Sequence, residues 1–320
     1  MGERPKGVLL LNLGGPDTLE AVRPFLYNLF SDRDIIKLGP PFLQKPLAWL
    51  ISSMRSGKTR GYYRQIGGGS PILKITGEQA SELQKTLGGE NDFRVYIGMR
   101  YWKPFIRDAM DHMSNDGIRE CVVLTMYPHY SIATTGSAFR ELKRHIDDYE
   151  IDFDFVEQWY DHPIYVDAIA ESIKRSVPDG RTEVELLYSA HSLPKSFIEN
   201  GDPYVDHIKG TIELVNERLG SEGYDIRSHL AYQSRSGPVK WLEPSTDEKI
   251  IELGKTGIKE LLIVPVSFVS DHIETLYEID ILYRDLALEH GIMLRRVDSL
   301  NTSHKFIEAL KDIVLRKTSR

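Results

Sequence analysis

The sequence predicts an α/β protein of two similar doubly wound, parallel-sheet halves, and three observations carry that prediction. Short apolar runs alternate with amphipathic stretches along all 320 residues, as strands joined by helical crossovers do. The first run, residues 7–13 (Gly-Val-Leu-Leu-Leu-Asn-Leu), is apolar at nearly every position rather than every second one, the mark of a strand covered on both faces. The stretch Gly117-Ile-Arg-Glu-Cys-Val-Val-Leu recurs as Gly257-Ile-Lys-Glu-Leu-Leu-Ile-Val. Each copy follows a helical stretch and opens a strand, which fits two related domains facing a cleft.

The strand over 7–13 runs into Gly14-Gly15-Pro16-Asp17-Thr18, where Asp17 or Thr18 is placed to cap a helix over 19–30. Strand, glycine turn and helix N-terminus together can cradle a phosphate. The spacing matches neither G-x-G-x-x-G nor the P-loop, so a tight turn lining a pocket is expected. In residues 40–63, Pro41, Phe42, Leu43, Leu47, Trp49, Leu50, Ile51 and Met54 are interleaved with Lys45, Arg55, Lys58 and Arg60. Such a segment suits a core helix, a membrane-surface element or the lip of a site for a flat anionic ligand, with the core reading slightly ahead. Next, Gly67-Gly68-Gly69-Ser70-Pro71 permits close backbone approach. Periodicity then gives helices over 74–87, 104–115, 134–147 and 163–175, with strands over 93–98, 119–126 and 151–157. The second half reads as strands over 183–189, 227–232, 260–266 and 292–296, with helices over 203–219, 246–254, 273–289 and 303–316.

Composition narrows the function. Apolar residues make up 41% and charged residues 27%, ample for a large core. A net charge of −7 argues against a nucleic-acid surface. Cys121, the single cysteine, excludes an internal disulfide and sits in an apolar run, so a buried, inert thiol is expected. There is no secretory h-region, no myristoylation pattern, and no apolar run near the roughly 18–20 residues that span a bilayer. A cytoplasmic protein is expected.

Two stretches carry chemistry. The strand near 183–189 delivers His191 into a Ser/Pro loop, and in an open α/β sheet ligands bind at the strands' carboxyl ends. An imidazole there can hold a proton or a metal. In Ser270-Asp271-His272-Ile273-Glu274-Thr275-Leu276-Tyr277-Glu278-Ile279-Asp280, Ser270 or Asp271 can cap a helix that carries Glu274 and Glu278 on one face at i, i+4. Such a carboxylate line can pass protons or hold a hydrated dication. Asp280 reads instead as part of a solvated acidic face. The spacing fits neither a HExxH zinc helix nor a G-x-S-x-G elbow.

Together these stretches resemble the ferrochelatase family. Ser189-Ala-His191-Ser-Leu-Pro194 with Gly201-Asp-Pro-Tyr204, and Ser270-Asp-His-Ile-Glu-Thr-Leu-Tyr277, match its two long motifs. Asn12-Leu-Gly-Gly-Pro16, Ile66-Gly-Gly-Gly-Ser-Pro71, Met99-Arg-Tyr101, Pro128-His-Tyr-Ser131 and Gln233-Ser234 agree as well, so the likeness spans nearly the whole chain. The resemblance implies insertion of Fe²⁺ into a porphyrin to give protohaem, on two Rossmann-like domains of the class II chelatase type. The expected division is 1–126 plus 300–320 as the first domain and 127–299 as the second, which carries His191 and Glu274. Iron is a substrate, and no permanently bound cofactor is implied. The cluster cysteines of animal members are absent, so no iron–sulfur cluster is expected.

Metallation strips two protons from the pyrrole nitrogens, so His191 suits the base over the ring, with Glu274 and Glu278 taking the protons onward. Imidazole and carboxylate also suit ferrous iron, and His191 and Glu274 are equally candidate metal ligands, the two roles drawing on the same lone pair. The expected substrate contacts are Leu13, Arg55, Lys58, Tyr63, Ser70, Arg100, Tyr101, His129, Ser234, Phe268 and His272. Of these, Arg55, Lys58, Tyr63, Ser70 and Ser234 are candidates for the propionates. Residues 40–54 then become the lip of the pocket, able to touch a membrane. Tyr232 replaces the family's usual Trp, and Leu282 replaces an acidic residue of some members. Coproporphyrin III-specific members tend to carry Tyr in the first glycine turn where this chain has Leu13, which favours protoporphyrin IX. The competing readings are a cobalt or nickel chelatase, a non-catalytic metal or tetrapyrrole carrier, and a nucleotide-binding enzyme that lacks its fingerprint.

Overall fold

A computed structural model of the chain describes residues 5–88, 93–177 and 184–319. The chain divides into two compact units, one running up to Trp159 and resuming at Ile307, the other spanning Tyr160–Phe306.

The first unit is built on β1 (Lys6–Asn12), β2 (Phe93–Met99), β3 (Glu120–Thr125) and β4 (Asp152–Val156), all parallel, in the order β2-β1-β3-β4. The central strand is the apolar run read from the sequence, with Val8 to Leu11 all at 0% exposure. Each such leucine contributes about 1.5–3 kcal/mol by leaving water. Helices cover the faces: α1 (Val22–Ser31), α2 (Gln44–Gln65), α3 (Ile72–Leu87), α4 (Ile106–Asn115) and α5 (Thr135–Lys143). Leu9 and Leu11 pack against Ile106 and Met110 of α4 and Phe139 and Leu142 of α5. Cys121 is buried in the same cluster, its Sγ 3.6 Å from the Met113 sulfur, and burial pushes the thiol's pKa up.

The second unit repeats the plan. Its strands β5 (Val184–His191), β6 (Ser228–Gln233), β7 (Glu260–Pro265) and β8 (Met293–Arg296) run parallel in the order β6-β5-β7-β8. The repeated sequence therefore enters β3 and β7, the third strand of each sheet. The helices are α6 (Pro163–Ser176), α7 (Lys195–Glu199), α8 (Tyr204–Ser221), α9 (Thr246–Lys255), a π-helix (Glu274–Tyr283) and α10 (Arg284–Glu289). Helix α11 (His304–Thr318) starts here and belongs to the first unit from Ile307 on.

Several expectations need correction. The first unit extends to Trp159 rather than 126, because β4 pairs with β3 and Trp159 donates from its backbone N to Pro128 O at 3.0 Å and from its indole to Thr125 O at 3.0 Å. Helix α1 starts at Val22, and Thr18 caps no helix but accepts from Ala21 N at 3.2 Å. Residues 40–54 are not core. The buried positions of α2 are Gln44, Ala48, Ser52, Ser56 and Tyr63, a stripe dominated by small or polar residues that lets α2 lie close to α1. Trp49 and Met54 are 56% and 75% exposed, so the helix turns these apolar residues outward. Gln44 is buried because all its polar capacity is used. Its amide nitrogen donates to Phe30 O and Ile36 O, and its oxygen accepts from Arg33 and Leu38 N.

The two glycine turns explain each other. A Cβ on Gly15 would lie 2.5 Å from Ser70 Oγ, and one on Gly69 would lie 2.2 Å from Asp17 O. The turns pack backbone to backbone at the end of β1, joined by Ser70 N donating to Pro16 O at 2.7 Å. Among the described residues, no helix is long and apolar enough to cross a membrane.

Candidate active site

In sheets of this order the strand direction of connection reverses between the first and third strands, and ligands bind beyond the carboxyl ends there. In the second unit that place lies between β5 and β7. His191 is the last residue of β5, and the loop after β7 leads into the π-helix.

The backbone of His191 is held from both sides. Its N–H donates to Ser267 Oγ at 2.9 Å, and Tyr204 Oη donates to its carbonyl at 3.0 Å. This accounts for Gly-Asp-Pro-Tyr: Asp202 Oδ1 accepts from Tyr204 N at 3.0 Å and opens α8 with the tyrosine in place. His191 Nδ1 lies 2.8 Å from Glu274 Oε2. Phe268 sets its ring edge-on to both imidazoles, with centroids 6.3 Å from His191 and 4.3 Å from His272. His272 Nδ1 bonds to Ser270 O at 3.1 Å, and its Nε2 is 3.9 Å from Glu274 Oε1.

The carboxylates are joined by a hydroxyl. Ser234 Oγ lies 2.8 Å from Glu274 Oε2 and 2.6 Å from Glu278 Oε2. Ser234 holds this position in left-handed backbone, φ 68°, which costs a non-glycine residue about 1–2 kcal/mol. A serine hydroxyl carries one proton and donates to one acceptor at a time. The second contact is complete when Glu278 is protonated and donates to Ser234, which then donates to Glu274. Gln233 supports the pair, its amide nitrogen donating to Glu274 O at 3.0 Å and to Glu278 Oε2 at 3.2 Å. Ser189, buried in the same motif as His191, orients that amide by donating to its oxygen at 2.7 Å.

The electrostatics agree with this chain of contacts. Burial opposes charge on His191, but the charge and hydrogen bond of Glu274, helped by Glu278, outweigh it and raise the imidazole above its usual range. Burial would push Glu274 up, yet His191 above all pulls it down to about 2. Burial and the neighbouring Glu274 charge push Glu278 up to about 7. Burial lowers His272. The site thus sets an imidazole whose charged form is favoured against a carboxylate whose charged form is favoured, next to a carboxyl that titrates near neutrality. His191 and Glu274 together offer one nitrogen and one carboxylate to a metal ion, and among the described residues no group of three or more such side chains converges.

Of the expected site residues, the structure brings together His191, Glu274, Glu278, Ser234, Phe268 and His272. The Ser234 hydroxyl lies between the two carboxylates. Glu274 and Glu278 do share a face, but on a π-helix rather than an α-helix, with Arg284 N donating to Ile279 O five residues back. Neither Ser270 nor Asp271 caps it. Asp280 is not on a solvated face, since both its oxygens accept from Arg296 at 2.8 and 2.9 Å.

The remaining residues lie in the first unit. Arg55 and Lys58 are exposed on α2, the Arg55 guanidinium over the Phe30 ring and the Lys58 ammonium over Tyr62. Leu13 and Ser70 are half-buried at the glycine turns, while Tyr63 and His129 are buried at 3% and 2% exposure. Arg100 and Tyr101 converge on one carboxylate. Arg100 Nη2 and Tyr101 Oη donate to Asp32 Oδ2 at 2.8 and 2.6 Å, and Ser137 Oγ adds a third donor at 2.9 Å. Burial opposes charge on Asp32, but those donors and Arg100 hold its carboxyl below the usual range. Asp32 itself was missed, since an acid just after a helix carries no sequence signal of such a role.

The chain matches the family model described as Ferrochelatase over residues 5–318. It is 54% identical to the ferrochelatase of Geotalea uraniireducens over 98% of each chain, and 50% identical to that of Geotalea daltonii over 96% of each. Among solved structures it is similar to the sirohydrochlorin chelatase SirB of Bacillus subtilis subspecies spizizenii, determined in complex with cobalt. That match has a TM-score of 0.58 at 11% identity, covering 98% of this chain and 96% of the other.

Proposed function

Since the chain belongs to the ferrochelatase family, whose members insert a metal ion into a porphyrin, we propose that its substrates are Fe²⁺ and protoporphyrin IX and its product is protohaem. The observation that carries the reading is the continuous line His191–Glu274–Ser234–Glu278 at the end of β5. It supplies what porphyrin metallation needs, a base for the pyrrole protons and a path away from it.

Because Nδ1 of His191 faces Glu274, Nε2 is the nitrogen that meets the ring. Neutral His191, its Nδ1–H donating to Glu274, takes a pyrrole proton on Nε2, and the imidazolium so formed passes its Nδ1 proton along the line. Glu274 is too acidic to keep it, Ser234 hands it on by exchanging its own, and Glu278, near 7, releases it to water. The imidazole left behind carries its proton on Nε2, and exchange of that proton through water to Nδ1 restores the base for the second pyrrole proton. Fe²⁺ entering beside this pair is held by the same carboxylate, whose charge it partly neutralises. That favours the neutral imidazole at the step where a base is needed.

The exposed cations Arg55 and Lys58 suit the propionates, and α2 with the turn before it, which expose Phe42, Trp49, Leu50 and Met54 beside Lys45, suit contact with a membrane surface or an apolar substrate. Leu13 in the first glycine turn favours protoporphyrin over coproporphyrin. The test is anaerobic Fe²⁺ insertion followed by porphyrin absorbance, with protoporphyrin IX and coproporphyrin III offered separately. Faster turnover of protoporphyrin is expected. Preference for coproporphyrin reverses the substrate assignment, and binding without insertion into either removes the catalytic role.

A further inference from the structure

A run of ten residues in π-helical form is uncommon, since that helix is seen mostly as single turns inside α-helices, and something must hold it from Glu274 to Tyr283. One guanidinium grips the segment at two points. Arg296 ends β8 and is 11% exposed. Its Nε and Nη2 form a fork on Asp280, at 2.8 and 2.9 Å, while Nη1 donates to Asp271 Oδ1 at 2.9 Å. Asp271, three residues before the π-helix, is fixed further by Ser299 Oγ at 2.8 Å, Asn301 Nδ2 at 2.9 Å and Thr275 Oγ1 at 3.1 Å. Glu274 and Glu278 lie between the two gripped carboxylates.

The register matters for the chemistry. At about 3.6 residues per turn, residues four apart on an α-helix are offset by about +40°. At about 4.4 residues per turn, as i→i+5 bonding gives, the offset is about −30°. A change from one form to the other swings Glu278 about 70° around the axis relative to Glu274, and one Ser234 hydroxyl no longer reaches both.

We propose that Arg296 is a positioning residue for metal insertion: by clamping Asp271 and Asp280 it holds the π-helical register in which Glu274 and Glu278 share Ser234. The proposal rests on the porphyrin-metallating role given above. It acts on the rate of the proton hand-off, not on binding of the ring.

The experiment compares kcat and the porphyrin KM for the unaltered protein, Asp280→Asn, Arg296→Lys, Glu278→Gln, and Asp280→Asn combined with Glu278→Gln, each checked for folding by circular dichroism. Asp280→Asn is expected to lower kcat about 10-fold with KM unchanged, and Arg296→Lys, which keeps the charge but not the fork, to lower it less. In the Glu278→Gln background Asp280→Asn is expected to cost nothing more, because it acts through Glu278. A folded Asp280→Asn protein with full kcat, or a double variant showing the product of the two single losses, overturns the clamp. If Asp280→Asn does not fold, full kcat in Arg296→Lys overturns it. Absence of insertion by the unaltered protein, by contrast, refutes the function on which the clamp rests.

Discussion

At the end of β1, Asn12 gives its amide to Thr76 and its oxygen to Leu13 N, and the charged groups nearby, Arg100 and Asp32, satisfy each other. At the equivalent end of β5, His191 shares a proton with Glu274, and Ser234 is divided between two carboxylates that cannot both take its hydrogen. The strand order is the same in both sheets. The first sheet's end is a closed set of hydrogen bonds, with one buried acid, Asp32, matched by Arg100, Tyr101 and Ser137. The second end has more acceptors than protons. A group of this kind costs stability, and strongly perturbed carboxyls of this kind cluster at functional sites.

Four changes sharpen or break that contrast. The largest effect is expected at His191. His191→Ala should leave the fold intact and lower metal insertion by about 10²–10⁴-fold, with Glu274→Gln losing more than Glu278→Gln. The reverse order in steady-state rates would mean that the line runs the other way.

Next comes Asp32→Asn, where the effect should fall on stability. Arg100 and Asp32 are 12% and 6% exposed, and removing one partner of a buried pair costs about 3–5 kcal/mol. Denaturant unfolding should show that loss while the folded fraction keeps its kcat. A selective loss of kcat would give the first sheet a chemical role after all.

The third is a pH dependence of folding. With its pKa raised from 4.5 to about 7, Glu278 binds its proton more tightly folded than unfolded, so its contribution to stability falls as pH rises from 4.5 towards 7 and stays lost above that. Glu274, lowered to about 2, contributes fully above 4.5 and loses its contribution as pH falls towards 2. Glu278→Gln should therefore gain about 2 kcal/mol over the unaltered protein at pH 8 and almost nothing at pH 4. Unfolding curves at the two pH values that differ by the same amount would remove the strain assigned to Glu278.

The smallest concerns the glycine turns. Gly15→Ala should cost about 1–3 kcal/mol by overpacking against Ser70, and Ser70→Gly added to it should restore most of the loss. Gly69→Ala meets backbone at Asp17 and should find no such rescue. Thermal melting of the single and double variants reads both.

The alternation of strands and helices, the repeated strand entry, the strand-end place of His191 and the shared helix face of Glu274 and Glu278 were legible because each rests on local pattern. Apolar runs reveal buried strands, and an imidazole at a strand's end stands where ligands bind. What escaped depends on contacts distant in the chain. Nothing local shows that Gly15 makes room for Ser70, that Asp32 takes up the donors of Arg100 and Tyr101, or that Ser234 joins two acids. The π-helical register was illegible because its spacing of acids fits an α-helix equally well, and Arg296, which holds it, lies 16 residues past Asp280. Helix α2 misled because apolar residues are ordinarily turned inward, whereas here the small and polar stripe of Gln44, Ala48, Ser52 and Ser56 is the buried one.

Helix α11 gives the molecule an order of assembly. Leu310 and Val314, both at 0% exposure, lie on the part of α11 that belongs to the first unit. During synthesis, at about 5–20 residues per second, the strands of the first unit leave the ribosome early yet lack this apolar face until α11 has been made. The second unit is one unbroken stretch and has all its residues sooner. The second unit therefore has its whole core available before the first, whose earlier-made strands wait for the residues that cover them.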